Sequence, residues 1–257
     1  MSEPKITTEA RGPLLLIGLN RPAKLNAFDA EMLTSLREAF AKLDAEPALR
    51  CGVLFAHGDH FTAGLDLVSV GPLMAQGKLD LSSGIDPWGV HGEQRRKPTV
   101  VAVKGRCLTA GIELVLAQDI CVAAESTRFA QIEIRRGIFP FGGATFRWPQ
   151  RCGWGNAMRW LLTGDELDAA EALRIGLVQE VVPAGAELER AIAIATTVAA
   201  QAPLAVQETI ASARRSLVEE ASARALLPEL MRLMQSDDAR EGMMSFLQRR
   251  TATFTGK

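Results

Sequence analysis

Two hydrophobic periods alternate along the chain as far as Trp160. Residues 5–10 and Leu14-Leu-Leu-Ile17 read as two strands turned at Gly12-Pro13, a hairpin that ends at Asn20-Arg-Pro22. Asp29 is a good N-cap, and the spacing of Met32, Leu33, Leu36, Phe40 and Leu43 predicts a helix to about Asp44, with Pro47 just beyond. Cys51 to Ala56 follows as a short buried strand, and His57 to Asp66 as a loop. From Val70 to Lys97 the period is lost. Gly71, Pro72, Gly77, Gly84, Pro87 and Gly89 gather there, which predicts a long loop that is functional or mobile.

An apolar run, Pro98-Thr-Val-Val-Ala-Val103, reads as the next strand. Lys104 to Glu113 is then a tight small-residue turn opening a buried helix that continues through Leu114-Val-Leu-Ala-Gln118. Ile120 to Ala124 reads as another strand, and Arg136 to Gly143 as a second glycine-rich stretch. Alternating strands and helices predict an α/β class. Beyond Trp160 the pattern is helical, with caps at Asp168 and near Gly185 and helices over Pro203–Leu217, Ala221–Met234 and Asp237–Arg249. Leu177 to Val182 is the one strand expected there. The stripe Leu226, Leu227, Leu230, Met231, Leu233 and Met234 calls for an apolar partner surface, either its own domain or another copy of the chain.

With 257 residues the chain can bury a sizeable core. A formal net charge of −1 and 23% charged residues argue against a nucleic-acid partner. The four cysteines, Cys51, Cys107, Cys121 and Cys152, lack metal-ligand spacing, and buried reduced thiols in a reducing compartment are expected. No apolar run approaches the about 20 residues of a membrane span, and the N-terminus resembles no signal or presequence. A cytoplasmic protein with no membrane partner is the expectation.

One position is chemically odd. Glu113 sits one turn into a helix beside Ile112, Leu114, Val115 and Leu116, where an unpaired carboxylate is costly. On the residues alone, a structural ion pair with Arg106 or Arg147 is a better explanation than catalysis. Glu133 reads equally as an exposed strand-edge residue paired with Arg135. His57, His60 and His91 are expected to be solvent-exposed, and Asp119 to have a cationic partner that offsets the helix C-terminus. The cluster Arg95-Arg-Lys97 is either a phosphate contact or a solvated face.

Three pieces, Phe61-Thr-Ala-Gly-Leu-Asp-Leu67, Leu108-Thr-Ala-Gly-Ile-Glu-Leu114 and Phe129-Ala-Gln-Ile-Glu-Ile-Arg-Arg-Gly137, together resemble the crotonase (enoyl-CoA hydratase/isomerase) family. Asn20-Arg-Pro-Ala-Lys-Leu-Asn-Ala27, Leu162-Thr-Gly-Asp165 and Gly176-Leu-Val178 match its pattern in the same order, and the similarity runs from about residue 5 to Phe254. The resemblance implies an α/β fold: a crotonase-like spiral of ββα units over 1–195 carrying the acyl-CoA site, and a helical trimerisation region over 196–257. It further implies a homotrimer or dimer of trimers acting on acyl-CoA thioesters, with coenzyme A entering as part of the substrate and no separate cofactor or metal. Carried over by position, the thioester oxygen meets the backbone N–H groups of Leu65 and Ala110, Glu113 activates water for attack on Cβ, and Glu133 handles the proton at Cα. Arg21, Lys24, Leu25, Ala63, Asp66, Leu67 and Val68 fall where the family contacts coenzyme A, with Lys24 favoured for phosphate. Arg249, Arg250 and Lys257 are further candidates toward a neighbouring subunit's nucleotide.

Trp88 and Phe141 are expected in the acyl pocket, Trp88 equally as an anchor for its loop. Phe141 stands where dienoyl-CoA isomerases carry an extra aspartate, which disfavours that reaction. Thr109 replaces a common glycine and narrows the turn before Ala110, while Phe146 and Trp148 replace smaller or polar residues and are expected to reshape the acyl pocket. Enoyl-CoA hydration is the leading reading. A Δ3,Δ2-enoyl-CoA isomerase using Glu133 alone and a non-catalytic acyl-CoA-binding protein are the rivals. A dinucleotide-binding fold is disfavoured, because no Gly-x-Gly-x-x-Gly follows the first strand.

Overall fold

Strand β1 (Ile6–Arg11) is largely solvent-facing, whereas β2 (Leu14–Leu19) is buried along its whole length, so the opening hairpin has an edge and an inner member. The structure, a computed structural model, describes residues 3–215 and 219–253. After the hairpin come α1 (Ala30–Ala45), β3 (Cys51–Ala56), α2 (Leu67–Ala75), β4 (Thr99–Val103), β5 (Arg106–Leu108), α3 (Ala110–Ala117), β6 (Ile120–Ala124) and β7 (Arg128–Ala130). A 3-10 turn at Glu133–Arg136 leads to α4 (Ala144–Cys152), α5 (Trp154–Thr163), β8 (Glu166–Asp168), α6 (Ala169–Arg174), β9 (Glu180–Val182) and α7 (Glu187–Ala199). Helices α8 (Pro203–Arg215), α9 (Glu219–Leu233) and α10 (Asp237–Leu247) complete the described chain.

One six-stranded sheet runs β1-β2-β3-β4-β6-β9, parallel throughout except for the β1–β2 hairpin, and a small sheet runs β5-β7-β8. Side chains alternate across the large sheet. Leu15, Ile17 and Val101 face the main core, while Leu14, Leu16, Val53 and Val100 face Ala191, Ala195 and Ala199 of α7. Small residues on α7 let the helix lie close to the sheet. Asp29 caps α1 as expected, accepting the Met32 N–H at 2.9 Å, worth about 1 kcal/mol.

Several expectations are corrected. The stretch taken as loop from Val70 begins inside α2, which Asp66 caps and which tolerates Pro72 in its interior. The rest of that stretch is braced: the Asp86 carboxylate accepts the backbone N–H groups of Trp88, Val90 and His91, and Arg147 donates to the Trp88 and Gly89 carbonyls. Arg95 and Lys97 are buried rather than solvated. Lys97 donates to the Leu43 and Glu46 carbonyls, and Arg95 pairs with Asp119 at 2.9 Å, supplying the partner Asp119 needed along with Arg214 at 3.5 Å. None of the three histidines is fully exposed. His57 pairs with Thr7, His60 accepts the Arg106 N–H, and His91 meets the Phe141 carbonyl.

In the C-terminal third, Leu226 and Leu230 are buried in the chain's own core and only Met231 of the expected stripe is clearly exposed. The strand expected from Leu177 is shorter, because Leu177 and Val178 pack into the core before β9 begins. Arg250 pairs with Glu241 instead of standing free. Leu217 of the predicted eighth helix, Phe254 and Lys257 lie outside the described residues. Among the described residues no helix is long and apolar enough to cross a membrane.

Candidate active site

Asn26 assembles the site's first wall. It is fully buried with a left-handed φ of 53°, and its amide donates to the His57 and His60 carbonyls while its Oδ1 accepts the Arg21 N–H. The Asn26 carbonyl takes the Thr62 hydroxyl, which in turn accepts the Gly64 N–H. That chain of bonds fixes the loop before α2. Phe28 bridges it from the other side, donating to the Gly64 carbonyl and accepting from the Asp66 N–H. With its neighbours bonded to Phe28, Leu65 turns its own N–H the opposite way.

The second wall is the turn between β5 and α3. Thr109 holds φ 51° and ψ −120°, a conformation costing a β-branched residue on the order of 1–3 kcal/mol. Its Oγ1 fills the space a Cβ on Gly64 would take, so the two loops touch where one side chain is missing. Gly111 likewise allows α3 to press on Thr62. Ala110 begins α3, where backbone N–H groups lack helical partners. Among the described residues neither the Leu65 nor the Ala110 N–H meets an acceptor in the chain.

Both glutamates lie in the same cavity, of about 540 Å³, with Leu65, Ala110, Ile132 and Ile138. Glu113, 2% exposed, accepts the Gly142 N–H at 2.7 Å and the Ala144 N–H at 3.1 Å, both on Oε1. Burial pushes its carboxyl up to about 7 against those two bonds and the nearby Arg147 guanidinium, which favour the charged form. No ion pair with Arg106 forms, since Arg106 is exposed. Glu133 is on the 3-10 turn and buried, not on a strand edge, and Arg135 pairs outward with Asp165 at 2.9 Å. Gln131 donates to Glu133 Oε1 at 2.8 Å, while Oε2 is buried without a hydrogen-bond partner. Burial, then the like charge of Glu113, drives the Glu133 carboxyl well above the usual range.

The other expected positions divide. Ala63, Asp66, Leu67 and Val68 line the cavity mouth with Lys24, which is exposed. Arg21 also lines it, but its guanidinium is committed to Asp66 at 2.8 Å, to Asp29 at 3.4 Å and to the Ala27 carbonyl, so it acts as a brace. Leu25 is not in the lining and contributes a carbonyl that accepts the Ala63 N–H. Phe141 lines the cavity. Trp88 borders a smaller neighbouring one and also anchors its loop, donating its indole N–H to the Ala110 carbonyl at 2.9 Å. Trp148 is fully buried and Phe146 stacks on Arg147, so neither shapes these cavities.

A carboxylate held by two N–H groups, a second carboxyl held neutral, and two free N–H donors at one cavity suit addition of water to a conjugated thioester. The family model described as enoyl-CoA hydratase/isomerase matches residues 9–257. The chain belongs to the enoyl-CoA hydratase/isomerase family. The crotonase relatives include enoyl-CoA hydratase EchA19 of Mycobacterium tuberculosis, 34% identical over 100% of this chain and 98% of that one. A crystal structure of carnitinyl-CoA hydratase from Mycobacterium avium matches with TM-score 0.90 and 30% identity, covering both chains completely. A probable enoyl-CoA hydratase/isomerase from Mycobacterium abscessus matches with TM-score 0.80 and 51% identity over 98% of this chain and 99% of that one.

Sequence reasoning passed over Gly142, Ala144 and Gln131 as partners of the glutamates, Asn26 as the brace of the first wall, and Arg136 and Phe246 around the cavity. The glycine-rich stretch before α4 was the available signal for the first two. Phe246 arrives from α10, which seats against the 3-10 turn through Gly137 and Gly242. Among the described residues no group of three or more His, Cys, Asp or Glu is placed to hold a metal ion.

Proposed function

We propose that the protein is an enoyl-CoA hydratase that adds water across the 2,3 double bond of a trans-2-enoyl-CoA. The observation that carries this reading is the pair Glu113 and Glu133, buried in one cavity and hydrogen-bonded so differently that one favours charge and the other its proton. Ionised Glu113 takes a proton from water as its oxygen bonds to Cβ. Electron density moves to the thioester oxygen, where the Leu65 and Ala110 N–H groups hold the enolate, each donor worth about 3 kcal/mol in such sites. Protonated Glu133 then delivers its proton to Cα. The two carboxyls have exchanged states, and a proton passing between them through solvent resets the pair.

Lys24 is positioned for a coenzyme A phosphate, and the backbone from Leu65 to Val68 for the adenine and pantetheine arm. Coenzyme A arrives with the substrate, and the chemistry needs no other cofactor. Residues 1–195 carry the two glutamates and both oxyanion donors, Phe246 reaches the cavity from the C-terminal region, and 196–257 form the oligomerisation region of a homotrimer or dimer of trimers, supported by exposed Leu204, Met231, Met244 and Leu247. A cytoplasmic setting fits four free, buried cysteines.

Incubating the protein with trans-2-enoyl-CoA in 18O-water tests the reaction. Loss of the conjugated absorbance with one 18O at Cβ of a 3-hydroxyacyl-CoA is expected. Double-bond migration without oxygen uptake would instead establish the isomerase, and tight binding with neither change a non-catalytic role.

A further inference from the structure

Behind Glu113 the large cavity meets a second one of about 40 Å³, bordered by the same four residues Leu65, Ala110, Glu113 and Phe141. Glu133 borders only the large cavity, Glu113 both. Given the hydratase reading, on which this inference rests, that order gives the substrate a direction. Cα lies toward Glu133, Cβ at the junction beside Glu113, and the chain beyond Cβ points into the small cavity.

Its other walls are Leu33, Leu81, Asp86, Trp88, His91 and Gly142. Trp88 is held by its bond to the Ala110 carbonyl, by an edge-on contact with Phe28 at 5.3 Å, and by Asp86 and Arg147 on its own backbone. It is therefore an end wall with little freedom to yield. The polar groups at this end are already engaged: Asp86 accepts three backbone N–H groups, and the His91 ring faces the Phe141 carbonyl. A volume of 40 Å³ corresponds to about three water-sized spheres, or roughly two or three carbon atoms.

We propose that Trp88, with Leu81 and Phe141, restricts the enzyme to short, apolar 2-enoyl thioesters of about four to six carbons, and that it rejects acyl chains ending in a carboxylate. Longer chains meet the indole, and a carboxylate end would be desolvated beside the Asp86 carboxylate.

The test measures kcat/KM for trans-2-enoyl-CoA thioesters of four, six, eight and ten carbons and for one ω-carboxylated six-carbon analogue. Values about 50-fold lower at eight carbons than at four are expected, with the ω-carboxylate at least as poor. Leu81→Ala, at a half-buried loop position, is expected to narrow the four-to-eight gap about tenfold. Equal values at four and ten carbons, or efficient use of the ω-carboxylate, would overturn the proposal even if the variant failed to fold. Dissociation constants for saturated butyryl-CoA and octanoyl-CoA keep the two readings apart. If no enoyl thioester is hydrated but butyryl-CoA binds more tightly, the size limit stands and the reaction falls; equal binding of the two would sink the size limit itself.

Discussion

Glu113 and Glu133 are equally buried in one cavity, yet their immediate surroundings treat charge in opposite ways. Glu113 comes from a regular helix and receives two backbone N–H groups from the loop before α4, with Arg147 nearby. Glu133 comes from a 3-10 turn, receives one side-chain amide, and leaves an oxygen with nothing to accept. The difference teaches how two identical side chains can divide the proposed reaction: backbone donors favour an ionised Glu113, and their scarcity favours a protonated Glu133. The Glu113 charge also raises the proton affinity of Glu133, which links the two titrations.

Among changes that leave both glutamates in place, breaking the Glu113 side has the largest expected effect. A Cβ on Gly142 would lie 2.7 Å from Glu113 Oε2 and 3.1 Å from the Trp88 ring, so Gly142→Ala should displace the base. A folded protein with kcat lowered about 100-fold or more is expected from steady-state kinetics and circular dichroism.

The contrast sharpens in the pH profile. The proposed mechanism needs Glu113 ionised and Glu133 protonated, so kcat/KM should rise through about pH 7 as Glu113 ionises and fall only at clearly higher pH, where Glu133 loses its proton. A profile already flat at pH 5 would contradict a raised Glu113.

Stability carries the same signature with a definite sign. Both carboxyls bind protons more tightly when folded than their ordinary value of 4.5. As pH climbs past that value the unfolded chain ionises first, so stability falls until the folded pair ionises as well. Glu133→Gln removes the more penalised group. It should raise unfolding free energy at pH 8 and leave it nearly unchanged at pH 4, as urea titrations at the two values can determine.

The smallest expected effect concerns the turn between the walls. Thr109→Gly relieves the φ 51° conformation and should add about 1 kcal/mol in the same titration, while loosening the contact with Gly64.

How much of this was legible beforehand follows from the range of the interactions. Asp29, Asp66 and Asp168 cap helices through bonds spanning three residues, and such signals are visible in a short window. The two glutamates stood out by residue type within apolar or motif contexts. The Glu113 cradle was not visible, because Gly142 and Ala144 are 29 and 31 residues away and donate from the backbone, which has no side-chain signature. Arg95 and Lys97 looked solvated for a related reason: much of what buries them is backbone carbonyl, at Ala117 for one and at Leu43 and Glu46 for the other. Helix α2 was hidden by Gly71 and Pro72, the two residues that most strongly suppress a helical reading.

The division of labour between the carboxyls is tested most directly by trans-2-enoyl-CoA hydration in Glu113→Gln and Glu133→Gln, with deuterium exchange at Cα followed in the same samples. The account predicts that each variant loses hydration by about 1,000-fold, and that only Glu133→Gln also loses exchange at Cα of a saturated acyl-CoA. Hydration surviving in Glu113→Gln would contradict it.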